Sequence, residues 1–288
     1  MRQYLNIVQR ILEEGERKQN RTGVDTLALA GCMFEHDMAE GFPLLTTKQM
    51  AWKSVRVELE GFLKGITDKK WYQDRRCNIW NEWCNPKKVP YGHDDETKKK
   101  MMGERDLGPI YGFQWRHFGA PYENYDTDYS DKGVDQLEKI VSTLKSNPND
   151  RRMIVSAWNP SALGEMALPP CRYAFQVTAI NGKLNLLWDQ RSVDTMLGLP
   201  FNIASYGLLL HLLAKESGLQ EGRLIGFLGD THIYENHVEA AKEQLKREPY
   251  NLPKIETEGF SSIFKWEYSQ SNAKEYQSHP PIEFKIAV

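Results

Sequence analysis

The chain has 288 residues, 40% of them hydrophobic and 26% charged, a composition that predicts a globular protein with room for one large core. A formal net charge of −2 excludes a whole-molecule pull toward nucleic acid, so an anion site has to come from a local cluster of arginines. The four cysteines (Cys32, Cys77, Cys84 and Cys171) form no CxxC pair and no Cys/His pattern of zinc spacing, which predicts reduced thiols and no metal. Met1-Arg2-Gln3-Tyr4-Leu5 lacks the apolar stretch of a leader and no run of eighteen apolar residues occurs, so a cytoplasmic location without membrane association is expected.

Leu5, Val8 and Leu12 mark a first amphipathic helix, followed by the polar turn Lys18-Gln19-Asn20-Arg21-Thr22-Gly23. Trp52, Val55, Leu59, Phe62 and Leu63 share the face of a second helix. Val134, Leu137, Ile140, Val141 and Leu144 share that of a third, which stops before Asn147-Pro148. The stretch between them from Asn85 to Arg105, with its lysine run 98–100, reads as a solvated loop. The period then changes: residues 153–158, 173–180 and 184–191 read as strands, and Asn181-Gly182 is a hairpin signal. A helix from Ile203 to Lys215 is apolar enough to be buried on most sides, another runs from Glu235 to Arg247, and short strands close the chain. With no disordered linker and no internal repeat, residues 1–288 read as a single α+β domain with one large mixed or antiparallel sheet flanked by helices. A doubly wound fold is disfavoured by the absence of strand–helix alternation and of a Gly-rich phosphate loop.

The chemistry concentrates in one stretch. Cys171 follows Pro169-Pro170, and Asp189-Gln190-Arg191-Ser192-Val193-Asp194 and Gly198-Leu199-Pro200-Phe201-Asn202 come soon after. A thiolate is a strong carbon nucleophile that nearby cations favour, and Arg172 and Arg191 are available. Arginine grips phosphate through two parallel hydrogen bonds, and Ser192 adds a donor. Arg151-Arg152 opens a strand, where neighbours point to opposite faces, so a contact across a subunit interface is one way to use both. Glu58 sits within the apolar face of its helix, where a carboxylate should have a raised pKa suited to proton transfer.

The chain resembles the thymidylate synthase family from end to end. The resemblance rests on the Cys171 segment together with Arg21-Thr22-Gly23, Ile79-Trp80-Asn81-Glu82-Trp83, residues 106–116, residues 150–159, Gly229-Asp230-Thr231-His232-Ile233-Tyr234 and Ile286-Ala287-Val288. It implies that Cys171 adds to C6 of the pyrimidine of dUMP. A one-carbon unit from 5,10-methylenetetrahydrofolate then goes to C5, giving dTMP and dihydrofolate with neither metal nor flavin. It further implies a homodimer packed through a sheet face. The 5′-phosphate would be held by Arg21, Arg191 and Ser192, with Arg151 and Arg152 from the other subunit. Asn202 would read the O4 and N3 edge of uracil, since an amide both donates and accepts where an aspartate would suit cytosine. His232 and Tyr234 would bind the sugar, and Glu58 and Tyr111 would serve proton transfer. Asp194, Trp80 and Lys48 would meet the folate, and Val288 would help exclude water.

Two departures from the family pattern bear on the outcome. Arg172 stands where histidine is usual and Asp189 where tyrosine is usual, and hairpin arithmetic suggests that they form a compensating pair. Glu60-Gly61 replaces an apolar residue and tryptophan, which removes bulk near Glu58. These changes around Cys171 and Glu58 together motivate the alternative, deoxyuridylate hydroxymethylase, the close relative in which water captures the one-carbon unit. A non-catalytic nucleotide- or RNA-binding protein and a cysteine hydrolase are the readings from other classes. The first has no use for a pocket thiol, and the second needs a histidine base paired with Cys171.

Overall fold

Asn181 and Gly182 both adopt positive φ (51° and 75°), the backbone that a two-residue hairpin turn requires. In this computed structural model, which describes residues 1–20 and 23–285, the turn joins β4 (Arg172–Ile180) to β5 (Lys183–Asp194). They belong to a six-stranded sheet of order β1-β2-β6-β5-β4-β3, with β1 at Glu16–Lys18, β2 at Thr26–Asp37, β3 at Ile154–Ser156 and β6 at Gln220–Tyr234. β2 is antiparallel to β6, whereas β5 is parallel to it, so the sheet is mixed and the expected α+β class is observed. The chain divides into two compact units, and the division falls within β4, after Gln176.

The first unit comprises residues 1–51, 177–259 and those from Gln270 onward. Its α1 (Arg2–Glu14) buries Tyr4, Leu5, Ile7, Val8 and Ile11 on one stripe. Parallel strands need a long crossover, and α7 (Gly198–Ser217) supplies it between β5 and β6. Leu208, Leu209, Leu210, Leu212 and Leu213 are all fully buried in α7, as their density predicts. Trp188 anchors this core, stacked on Tyr206 at 5.4 Å and tilted against Phe34 at 5.8 Å. Its strand partner Gly226 has to be glycine, because a Cβ there would fall 2.4 Å from the indole. Met33 and Phe227 pair across β2 and β6 yet remain 58% and 45% exposed, so this part of the sheet presents apolar side chains to solvent. α8 (Val238–Leu245) and the small β7 (Lys254–Thr257)–β8 (Ser271–Lys274) sheet complete the unit.

The second unit comprises residues 52–176 and 260–269. It holds α2 (Trp52–Leu63), α3 (Lys69–Asp74), α4 (Asp95–Gly103), α5 (Tyr111–His117), α6 (Gln136–Ser146), β3 and the first half of β4. α5 lies directly on α2, since a Cβ at Gly112 would meet the Phe62 carbonyl oxygen at 2.7 Å. That approach lets Phe62 stack on Tyr111 (4.8 Å, 15°) and meet Trp115 edge-on.

Several elements differ from their sequence-based expectations. The lysine run is not in a loop: it lies in α4, capped by the Asp94 carboxylate on the Thr97 N–H, with Lys100 paired to Glu96 one turn back. Val134 precedes α6, which starts after the Asp135 cap. Residues 235–237 form a 3₁₀ turn before α8, so that helix is shorter than expected. β3 spans only three residues, and Arg151 and Arg152 precede it, both exposed; the strand-parity constraint on them does not apply. Two of the three long strands, β2 and β6, carry no clear sequence signal. Ala28, Ala30 and Gly31 in β2 and Gly222, Gly226 and Gly229 in β6 depress local strand propensity, and tertiary packing overrides it.

Candidate active site

In the second unit the site is built on the approach to β4. Gly108, with φ +70°, lets the backbone pass the Glu165 carbonyl where a Cβ would lie 1.7 Å away. The Asp106 carboxylate accepts the Gly108 N–H at 2.6 Å. This turn starts α5, whose first residue, Tyr111, is buried, and the Leu107 carbonyl accepts the Ala167 N–H in the segment leading to Cys171. The Cys171 N–H then donates to the Tyr111 hydroxyl oxygen at 2.9 Å. Burial, and next the neighbouring Cys171, push the Tyr111 phenol up to about 12, so it stays protonated and able to give a hydrogen bond at neutral pH.

Glu58 lies in the same cluster, 3% exposed, and accepts a hydrogen bond from Arg172 Nη2 at 3.2 Å. Burial pushes the Glu58 carboxyl up, as its apolar setting predicts, while Arg172 and the Trp80 indole draw it down. The Trp80 N–H is buried and has no well-formed hydrogen bond among the described residues, so its effect on Glu58 is that of a nearby dipole. Trp80 and Tyr111 meet edge-on at 6.2 Å.

Both departures from the family pattern are accounted for differently than expected. Among the described residues the ion pair of Arg172 is with Glu58 and not with the anticipated Asp189, whose carboxyl is raised by burial. Nor does Gly61 leave a void. A Cβ there would fall 2.3 Å from the Tyr72 hydroxyl, so the Tyr72 ring takes the space, fixed by its O–H donating to the Ile66 carbonyl at 3.1 Å. Glu60 is buried and matched by Lys64 and by the Tyr268 N–H.

In the first unit the candidate residues gather where β5 ends and α7 begins. Asp194 Oδ1 accepts the N–H groups of Met196 and Leu197, both at 3.1 Å, which turns the chain into the helix. Gly198 opens α7 with space for a Cβ 3.6 Å from Asp194 and 3.9 Å from the Asn202 amide oxygen, so both side chains border the same turn. Asn202, the fifth residue of α7, is buried. Lys48 is buried too, against the exposure its sequence context suggests. It donates to the Met196 carbonyl and lies over the Phe284 ring, and burial lowers its pKa to about 8 against the pull of Asp194.

Strand register adds the remaining residues. Ser192 pairs with Asp230 and Asp194 with His232 across β5 and β6, and Tyr234 meets the His232 ring edge-on at 5.3 Å. His232 Nδ1 lies 3.0 Å from Asp230 Oδ1. Although burial opposes it, Lys18 and His232 hold the Asp230 carboxyl below the usual range. The sequence reading missed Asp230, and its signal was position: two residues before His232 on a strand puts both side chains on one face. Arg191 is exposed. Arg21 and Val288 lie outside the described residues.

A surface groove of about 720 Å3, lined by Gln136, Thr143, Asp150, Arg152 and Ile154, holds no candidate residue except Arg152. Among the described residues no group of three or more His, Cys, Asp or Glu is placed to hold a metal, and no helix is long and apolar enough to cross a membrane.

Comparison with known proteins agrees with the geometry. The bifunctional dihydrofolate reductase-thymidylate synthase of Paramecium tetraurelia is 46% identical over 286 residues, 99% of this chain. The chain spans 61% of that relative's length. The family model for thymidylate synthase matches residues 2–288, and the chain belongs to the thymidylate synthase family.

Proposed function

We propose that this chain methylates dUMP at C5, taking the one-carbon unit from 5,10-methylenetetrahydrofolate and releasing dTMP and dihydrofolate. The observation that carries the reading is the packed cluster in which the Cys171 segment is hydrogen-bonded to Tyr111, with Glu58 and Trp80 beside it. The family match runs unbroken through both units, which supports treating residues 1–288 as one domain.

In this proposal the Cys171 thiolate adds to C6 of uracil, and the electron pair moves toward C5 and O4. The Asn202 carboxamide, buried on α7, donates to O4 and accepts from N3–H. Glu58 and Tyr111 hold and move protons at the base, and His232 and Tyr234 bind the ribose. Arg191, Ser192 and Arg21 bind the 5′-phosphate, joined by Arg151 and Arg152 from a second copy of the chain. The exposure of Arg151 and Arg152 supports their donation to another subunit, and the apolar Met33–Phe227 pair supports a homodimer joined through the sheet face. The folate, when bound, supplies both the one-carbon unit and the hydride. Trp80, buried beside Glu58, and Asp194 and Lys48, at the start of α7, suit a polar heterocycle and an anionic tail; Val288 would close the site. Unpaired cysteines among the described residues are in keeping with a cytoplasmic enzyme.

Hydroxymethylation drew its support from the changes around Cys171 and Glu58; the Tyr72 ring takes the space at Gly61, and Arg172 is paired with Glu58. The deciding experiment follows nucleotide mass and folate oxidation state together, with dUMP and methylenetetrahydrofolate as substrates and Cys171→Ser as control. Thymidylate with dihydrofolate is expected. Hydroxymethyl-dUMP with tetrahydrofolate, or turnover that survives Cys171→Ser, overturns the proposal.

A further inference from the structure

The Arg172–Glu58 pair joins two parts of the site that lie 114 residues apart in sequence. Arg172 is the residue immediately after Cys171 and the first of β4, so its main chain moves with the nucleophile. Its guanidinium is 7% exposed and lies 5.1 Å from the centre of the Tyr111 ring and 5.7 Å from that of Phe62. Nη2 reaches Glu58 Oε2 at 3.2 Å. One side chain therefore touches the carboxylate and the ring of the phenol, and its own backbone continues the segment that bears the thiol.

We propose that Arg172 is a positioning residue for proton transfer, holding the Glu58 carboxylate in one orientation and register relative to Tyr111 and the Cys171 segment. The proposal rests on the reading of Glu58 as the proton-transfer group. The groups that act on Glu58, or on which it acts, come from four places: Tyr72 on α3, Cys77 and Trp80 after it, Tyr111 on α5 and Arg172 on β4. Burial keeps Tyr72, Cys77 and Tyr111 protonated and neutral at physiological pH. Glu60, on the same helix, is matched by Lys64. Arg172 thus supplies the positive charge that opposes the burial of Glu58, and without it the carboxyl would take up a proton at higher pH.

The test compares Arg172→Met, Arg172→Lys and Glu58→Gln in the full-length enzyme. It measures kcat/KM for dUMP against pH, with circular dichroism to establish folding. The Glu58 carboxyl is titrated in parallel by infrared difference spectroscopy, which reads its protonation without turnover. Glu58→Gln is expected to lower kcat/KM by about 10²-fold or more. In Arg172→Met, the pH limb that is missing in Glu58→Gln and the infrared titration of Glu58 both move to higher pH, by about one unit or more. Arg172→Lys, which keeps the charge, brings both part of the way back. A Glu58 titration and pH limb unmoved in folded Arg172→Met or Arg172→Lys, with Glu58→Gln inactive, overturns the positioning role alone. An active Glu58→Gln with an unchanged profile overturns the reading of Glu58 and the proposal with it.

Discussion

Gly61 is a position where one methyl group changes the energetics of the site wall. It lies in α2, where alanine for glycine normally stabilises a helix by about 1 kcal/mol. Here the added Cβ would fall 2.3, 2.4 and 2.5 Å from the hydroxyl, Cε1 and Cζ of Tyr72, each more than an ångström inside normal contact. The ring is fully buried and its O–H is bonded to the Ile66 carbonyl, so it cannot withdraw without losing that bond. Overpacking of this kind costs about 1–3 kcal/mol, and the strained hydrogen bond about 1 more. Net of the helix gain, Gly61→Ala should destabilise the protein by about 1–3 kcal/mol. In a Tyr72→Leu background the three clashing atoms are gone, and the same substitution should stabilise by about 0.5–1 kcal/mol. The four proteins of this cycle are compared by urea unfolding, reading the midpoint at constant m. A Gly61→Ala effect of equal sign and size in both backgrounds would refute the claim that Tyr72 occupies the space opened by the glycine.

Lys48 has a folded pKa near 8, below its value in the unfolded chain, so the unfolded state binds more protons between about pH 8 and the ordinary lysine range. Stability relative to Lys48→Met should therefore rise with pH across that window and be lost again as pH falls through 8; a flat difference in urea midpoints would contradict it. Phe227→Lys places a charge on the exposed apolar pair with Met33, so if the proposed homodimer forms through this face, sedimentation should show a shift from dimer toward monomer with secondary structure intact. An unchanged mass would rule out this face as the dimer contact. Asn202→Asp exchanges a group that donates and accepts for one that only accepts when ionised. It should lower kcat/KM for dUMP by about 10²-fold or more and raise turnover of dCMP, and retention of full dUMP activity would exclude Asn202 as the reader of the base.

Local pattern carried much of this molecule. The density of leucine from 208 to 213 implied a helix buried on most sides, and Asn181-Gly182 implied the hairpin, because both depend only on residues close in sequence. The Cys171 segment, with its prolines and following polar groups, was legible as chemistry for the same reason. The lysine run was misread because α4 is held by a cap and an i,i+4 pair and not by an apolar stripe. β6 escaped notice because its glycines stand where neighbours approach closely, as Gly226 does to Trp188, and β2 because Gly31 answers to a backbone φ of 94° inside the strand and not to a turn.

The sequence by itself determined the family and carried the proposal for the nucleophile and the substrate-facing residues, since both rest on ordered motifs along the chain. Only the tertiary structure decided which charges meet. Glu58 could be seen as a misplaced carboxylate, but nothing along the chain selected its partner, and strand counting pointed Arg172 toward Asp189. The choice of Glu58 follows from the packing of α5 on α2, which buries the carboxylate beside the start of β4. Burial removes the water that would otherwise screen a charge, so the nearest buried cation, however distant in sequence, becomes its partner.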